Sequence, residues 1–306
     1  MSSRLSAGGK LIDRSLSKEF IFNGRRLKGF EGDTLASALL ANGQVMVGRS
    51  FKYHRPRGIV ASGSEEPNAL METGSGSKLE PNQRATTTKL FDGMRVKSQN
   101  HWPTLEFDLG AINSTFSKFF PAGFYYKTFI HPRFAWKYLF EPIIRKAAGL
   151  GNAPKEKDCD TYEYFYAHVD LLIIGGGIAG LAAASSAVKS GLKVLIVEQN
   201  EYWGGRAIVD DINIENGSGS DWISQQVKSL SNEKNVNLRL NMMAAGVYDH
   251  GYVLLHETLT DGSNKKTELR QRLWRVRAKQ TIVATGAIER PLAFAGNDLP
   301  GVMLAS

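Results

Sequence analysis

The stretch GGGIAG, residues 175–180, has the residue types and spacing to cradle a pyrophosphate. Gly175 permits a tight turn, Gly177 lets the backbone approach the phosphates, and Gly180 lets the following helix pack closely on the preceding strand. The flanks suit this use. VDLLII before the turn is an apolar run fit for a strand buried on both faces, and the Ala-rich residues 178–190, stopped by Gly191, read as a helix. A helix N-terminus offers free N–H groups and partial positive charge to an anion, and Ala179 belongs to that first turn. LKVLIVE is then the next strand of a βαβ unit and ends on Glu198, 21 residues after Gly177. A carboxylate there accepts hydrogen bonds from ribose hydroxyls and repels a 2′-phosphate. The residues therefore predict the ADP half of NAD or of FAD, and not NADP.

Other chemistry is scarce. Cys159 is the single cysteine, which excludes an intrachain disulfide and any cysteine-ligated zinc or iron–sulfur site; in PKEKDCD it reads as a spectator thiol. The six histidines show no metal-ligand spacing, so no metal is expected. Arg49, Lys52, His54, Arg55 and Arg57 form a basic cluster, expected to serve salt bridges and backbone capping, with phosphate or flavin contacts as the alternative. The net charge of +8 is otherwise spread along 306 residues with no polybasic arm, which argues against nucleic acid. An anionic cofactor or an acidic partner subunit accounts for it equally well. No apolar run approaches the roughly 20 residues of a membrane span. The N-terminus has no apolar signal core, so a cytoplasmic protein without a membrane partner is expected.

The positioning elements fall into two folded units. In the first, EFIFNGRRLKGF gives two short strands joined at Asn23-Gly24, the preferred pair for a two-residue hairpin turn. EGDTLASALLANG gives a helix with Asp33 or Thr34 as its cap and Gly43 at its end. Hairpin, helix and return strand open the β-grasp fold of plant-type ferredoxins, but the following loop carries no cysteine, so a cluster-less version is expected. An aromatic-rich segment, FFPAGFYYKTFIHPRFAWKYLFEP, suits interdomain packing or a partner surface, and GLGNAPKEKDCD suits a linker. After the βαβ unit, DWISQQVKSL reads as a helix and VNLRLN as a strand. GVYDH, YVLLHETL and LWRVRAKQ suggest a meander, and TIVATGAIERP a further strand and turn. The expected division is 1–100 for the ferredoxin-like domain, 101–161 for the connection and 162–306 for an incomplete dinucleotide-binding domain, an α+β unit followed by an α/β unit.

Glu198, then Gly204-Gly205 after five residues, and ATG some 80 residues later resemble the two-dinucleotide-binding-domain flavoproteins. That resemblance implies that Gly205, Ala284, Thr285 and Gly286 lie beside the nucleotide, with Gln199, Asn200 and Arg206 bordering its adenosine and pyrophosphate and Ala245 near the adenine. A longer resemblance covers nearly the whole chain: DTLASALLANG, VGRSFKYHRPRGIVASGSEEPNAL, PNQRATTTKLFDGM, SQNHWPTL and PAGFYYKTFIHP are similar to the alpha subunits of heterotetrameric sarcosine oxidases. It implies NAD as a fixed cofactor on this chain, with FAD and covalent FMN on the beta subunit and its interface. It also implies beta, gamma and delta partners, and demethylation of sarcosine to glycine, with oxygen reduced to peroxide and one carbon passed to folate. No residue of this chain is then catalytic. The family's folate domain has no counterpart here and the chain stops just after ATG, so an N-terminal fragment, inactive alone, is expected. The alternatives are a subunit of an amine or opine dehydrogenase complex, an FAD-binding oxidoreductase fragment of the pyridine-nucleotide-disulfide type, and a non-enzymatic scaffold.

Overall fold

The computed structural model describes residues 3–119, 123, 129, 131–214, 217–260 and 269–305. They form two compact units, Met1–Cys159 with Ile288–Ser306, and Asp160–Ala287.

The first unit opens with the hairpin of β1 (Asp13–Phe22) and β2 (Arg25–Glu31). Both turn residues take positive φ, 46° at Asn23 and 82° at Gly24, as this turn demands. The helix Leu35–Ala41 is capped by Thr34, whose side chain accepts the Ser37 N–H, and gives way to Gly43 in the left-handed region. Its Leu35 and Leu39 pack with Phe20, Phe22, Met71 and Met94 in one core. A short pair, β3 (Met46–Arg49) and β4 (Pro56–Gly58), leads into β5 (Leu70–Thr73), β6 (Glu80–Arg84) and β7 (Met94–Ser98). The main sheet runs β2-β1-β7-β5-β6, with β1 and β7 parallel and the other pairs antiparallel.

Two boundaries differ from those expected. The described residues of 101–159 belong to the first unit, and so does Ile288–Ser306. The Leu304 N–H donates to the Val60 carbonyl at 2.7 Å, and Arg57 pairs with Asp298 at 2.5 Å. The basic cluster is largely consumed within the fold. Arg49 donates to the carbonyls of Leu105, His54 and Glu106, His54 meets Asp108 at 2.6 Å, and Arg55 lies over the Tyr53 ring. Burial opposes ionisation of Asp108, yet the Trp102 N–H, His54 and the Gly110 N–H together hold its carboxyl below the ordinary value. Of the aromatic-rich segment, residues 120–122, 124–128 and 130 lie outside the described residues. Phe119, Phe134, Trp136 and Tyr138 are exposed.

The second unit has strands β8 (Thr161–Ile174), β9 (Val194–Val197), a separate short pair β10 (Asn213–Ile214) and β11 (Gly217–Ser218), then β12 (Val236–Arg239), β13 (Met242–Tyr248), β14 (Tyr252–Thr258) and β15 (Leu269–Val283). Its main sheet has the order β12-β9-β8-β15-β14-β13. β12, β9, β8 and β15 are parallel, whereas β14 and β13 continue antiparallel as the meander. The helices Ile178–Val188 and Gly219–Ser231 contribute Leu181, Ala184, Ile223 and Leu230 to a core against β8 and β9. LWRVRAKQ and TIV, read as separate segments, are one 15-residue strand, β15, alternating Trp274, Val276 and Ala278 into a second core.

Candidate dinucleotide-binding site

The sheet ends of β8 and β9 converge on the glycine turn. Gly175 follows Ile174 directly, with φ at 111°, and its N–H donates to the Val197 carbonyl. A Cβ added there would stand 2.3 Å from the Ala284 carbonyl oxygen, so the turn is pressed against the end of β15. Ala284 in turn donates its N–H to Ile174. The turn, Ala284 and Thr285 are thereby brought together. Gly180 is tighter still: its Cβ would lie 1.9 Å from the Gly175 oxygen, which is the close helix–strand packing expected of the third glycine.

Gly177 is different. Its φ of −74° suits any residue, and beyond its chain neighbours and its own helix backbone no atom of the described residues lies within 4 Å of where its Cβ would be. It is the N-cap of the helix Ile178–Val188, with no side-chain cap on the helix N–H groups. Gly204 forms a parallel bridge with Gly177 and donates its N–H to the Gly176 carbonyl at 2.8 Å, which sets the Gly204-Gly205 pair beside the turn. Gly204 needs its left-handed φ of 106°, and a Cβ would meet Ile223 at 2.5 Å.

Glu198 is 6% exposed and holds the turn from the end of β9. Its Oε2 accepts the Gly176 N–H at 2.8 Å, and its Oε1 accepts the Asn200 N–H at 2.8 Å and the Asn200 Nδ2 at 2.9 Å. An ionised carboxylate offers about four acceptor sites, so three donors among the described residues leave room for one more. Burial, and then the charges of Glu198 and Glu201, push the Tyr202 phenol above its ordinary value, leaving it a neutral donor nearby. Trp203 stacks its ring edge where a Gly176 Cβ would fall.

Three expected site residues stand less directly. Gln199 is exposed, and Arg206 spends its guanidinium on Asp210 at 2.8 Å, one helical turn on. Ala245 sits exposed at a register irregularity between Ala244 and Gly246. The backbone that reaches the Glu198 strand end is that of its predecessors: Met242 donates to the Glu198 carbonyl at 2.9 Å and Asn241 to the Asn200 carbonyl at 3.0 Å. Asn241 takes a φ of 52° at the strand entrance, a conformation Asn adopts more readily than most residues, and the sequence marks it only by residue type. Gly286 takes a φ of 72° in open space just beyond Thr285.

Comparison with known proteins agrees with both units. Residues 18–101 match the model of a 2Fe–2S iron–sulfur cluster binding domain, and residues 169–305 that of the pyridine nucleotide–disulphide oxidoreductases. The second match implies FAD or NAD(P), and the cradle fits a dinucleotide: an open Gly177, an uncapped helix end and a carboxylate with a vacant acceptor site. The first implies a cluster, which the residues do not fit, because residues 18–101 contain no cysteine. In fold, the chain is similar to the crystal structure of L-proline dehydrogenase from P. horikoshii, with a TM-score of 0.59 and 22% identity over 95% of this chain and 46% of that one. No helix among the described residues is long and apolar enough to cross a membrane. Sarcosine oxidase subunit alpha of Corynebacterium sp. (strain U-96) is 31% identical over 99% of this chain and 27% of its own length. The subunit alpha of Rhizobium meliloti is 47% identical over 99% of this chain. The chain spans 31% of that relative's length and is similar to it along nearly all of its own.

Proposed function

We propose that this chain is the NAD-holding part of a sarcosine oxidase alpha subunit, working in a complex with beta, gamma and delta subunits in the cytoplasm. In this reading the complex demethylates sarcosine to glycine, reduces oxygen to peroxide and hands one carbon to folate. The amine is oxidised at a flavin on the beta subunit, and the ferredoxin-like unit carries no cluster. The observation that carries the nucleotide assignment is the open space at Gly177, against the crowding at Gly175 and Gly180. A glycine that the protein's own packing does not require is explained by a group that approaches from outside.

The residues divide the work. Gly175, Gly177, Ala179 and Gly180 present the backbone to the phosphates, Gly205 and Arg206 border them, and Glu198 accepts one ribose hydroxyl in its vacant acceptor site. Asn200 fixes the Glu198 carboxylate, while Gln199 and Ala245 border the adenosine and Ala284, Thr285 and Gly286 wall the turn. NAD when bound supplies a nicotinamide, held in this reading as a fixed group that does not turn over.

Denaturing the purified chain and separating the released nucleotides tests this. Nicotinamide dinucleotide is expected; flavin alone would overturn the assignment in favour of FAD on the same turn. Replacing Glu198 with Ala should weaken NAD binding by about 1.5–3 kcal/mol, the scale for a hydrogen bond to a charged group, as read by titration calorimetry. Oxygen uptake with sarcosine should be absent for the chain alone and present when the partner subunits are co-expressed with the complete alpha subunit.

A further inference from the structure

The loop between β4 and β5 contains a buried acid that the nucleotide reading does not use. Glu66 is 0% exposed, and its carboxylate gathers four backbone N–H groups. Oε2 accepts from Val60 at 2.7 Å and Ala61 at 2.8 Å, and Oε1 from Asn68 at 2.7 Å and Ala69 at 3.1 Å. All four acceptor sites of an ionised carboxylate are thus used, which is how a charge can be buried without a cationic partner. The wall around it is knitted to the same loop. Ala85 donates its N–H to the Ala69 carbonyl, Arg84 Nε donates to the Glu66 carbonyl, and Thr86 donates its hydroxyl to the Gly63 carbonyl.

The spacing of these residues is informative. Plant-type 2Fe–2S loops follow Cys-x4-Cys-x2-Cys with a fourth cysteine farther on. Ala61, Glu66 and Ala69 stand at that spacing, and Ala85, in the turn that directly follows β6, donates its N–H to the Ala69 carbonyl. The three alanines are 5%, 0% and 0% exposed. Small residues and one anion therefore occupy the pattern, inside the residues that match a cluster-binding domain. A thiolate-ligated cluster is itself an anion whose sulfurs take hydrogen bonds from the surrounding protein. The N–H groups on Glu66 are donors of that kind.

We propose that Glu66 is a built-in anion that takes the place of a 2Fe–2S cluster, and that positions 61, 66, 69 and 85 are the four former ligand positions. The loop that an iron centre would organise is organised here by a carboxylate. The first unit then folds without iron, and it holds no redox centre of its own.

Two experiments on the full chain test the two halves. In the first, Ala61→Cys, Glu66→Cys, Ala69→Cys and Ala85→Cys are combined and the protein is treated anaerobically with ferric iron, sulfide and a thiol reductant. Four thiols lose four protons and bind two ferric ions bridged by two sulfides. The expected result is about two irons and two sulfides per chain, with a visible spectrum and a paramagnetic signal after dithionite reduction. Little iron in a folded variant, as much iron in the triple variant that keeps Glu66, or failure to fold with iron and sulfide present would each overturn the ligand positions. In the second, Glu66→Ala should lower the melting temperature of the first unit by about 10 °C, and Glu66→Gln should lower it too, because an amide turns its own donors toward two of the N–H groups. Formate, a free carboxylate, should restore about half of the loss in Glu66→Ala and leave the parent chain unchanged. A melting temperature equal to the parent's, or no response to formate, would overturn the role of the carboxylate.

Discussion

Two buried glutamates, one in each unit, do related work to different extents. Glu66 takes four backbone N–H groups and has no acceptor site left. Glu198 takes two backbone N–H groups and one side-chain amide, and finds no fourth donor among the described residues, beside an open glycine. The lesson lies in that one missing donor. A loop whose donors are all spent on an internal carboxylate is closed to ligands, whereas a turn with spare capacity on both sides, acceptor and donor, is ready to receive one. The same distinction separates the glycines of the turn, since a Cβ at Gly180 would strike the Gly175 oxygen whereas one at Gly177 would stand in open space.

The largest effect that can sharpen this contrast is on Gly180. Gly180→Ala puts a methyl 1.9 Å from a backbone oxygen, so the second unit should lose about 3 kcal/mol in urea unfolding; a neutral substitution would break the packing argument. Gly177→Ala should unfold within about 1 kcal/mol of the parent, as expected for Gly to Ala at an N-cap. It should nonetheless lose about 2 kcal/mol of nucleotide affinity, roughly thirtyfold by calorimetry. Unchanged affinity would remove the contrast between the two glycines. The smallest effect concerns a third carboxylate. Asp108 accepts the N–H groups of Trp102 and Gly110 and pairs with His54. Its folded pKa lies below the ordinary 3.8, so its contribution is complete above about pH 4 and is lost as pH falls through the lowered value. Asp108→Asn should cost the first unit about 1–2 kcal/mol at pH 7, and thermal melts should show the gap to the parent narrowing in acid.

Local signals were legible where one residue type had one physical use. Asn23-Gly24, Thr34 and Gly43 stand as their chemistry demands, and so do the tight turn at Gly175 and the close packing at Gly180. What escaped reading depended on tertiary neighbours. β8 reaches back to Thr161 through TYEYFY, whose exposed aromatics carry no burial pattern, because pairing with β15 holds it. The packing of Ile288–Ser306 on the first unit is written in contacts to Val60 and Arg57 that no periodicity announces. Glu66 carries no such signal, because the four N–H groups that hold it converge only in the folded loop. The spacing was present all along, with other residues standing in it.

The pairing of β8 with β15 also bears on the order in which the unit assembles. Thr161 meets Leu269 and Ile174 meets Val283, so strands over a hundred residues apart lie side by side. Contacts of such separation are closed late, since the entropy of a long loop must be overcome before they return anything. β9 and the helix Ile178–Val188 can dock on β8 from nearby sequence, but Ala284 reaches Gly175 only with that last pairing. Pulse-labelling hydrogen exchange during refolding should therefore protect the amides of β9 before that of Ala284. On the ribosome the order would be the same: the glycine turn is synthesised more than a hundred residues before its far wall at Ala284, and the two meet only after β15 has emerged and zipped into place.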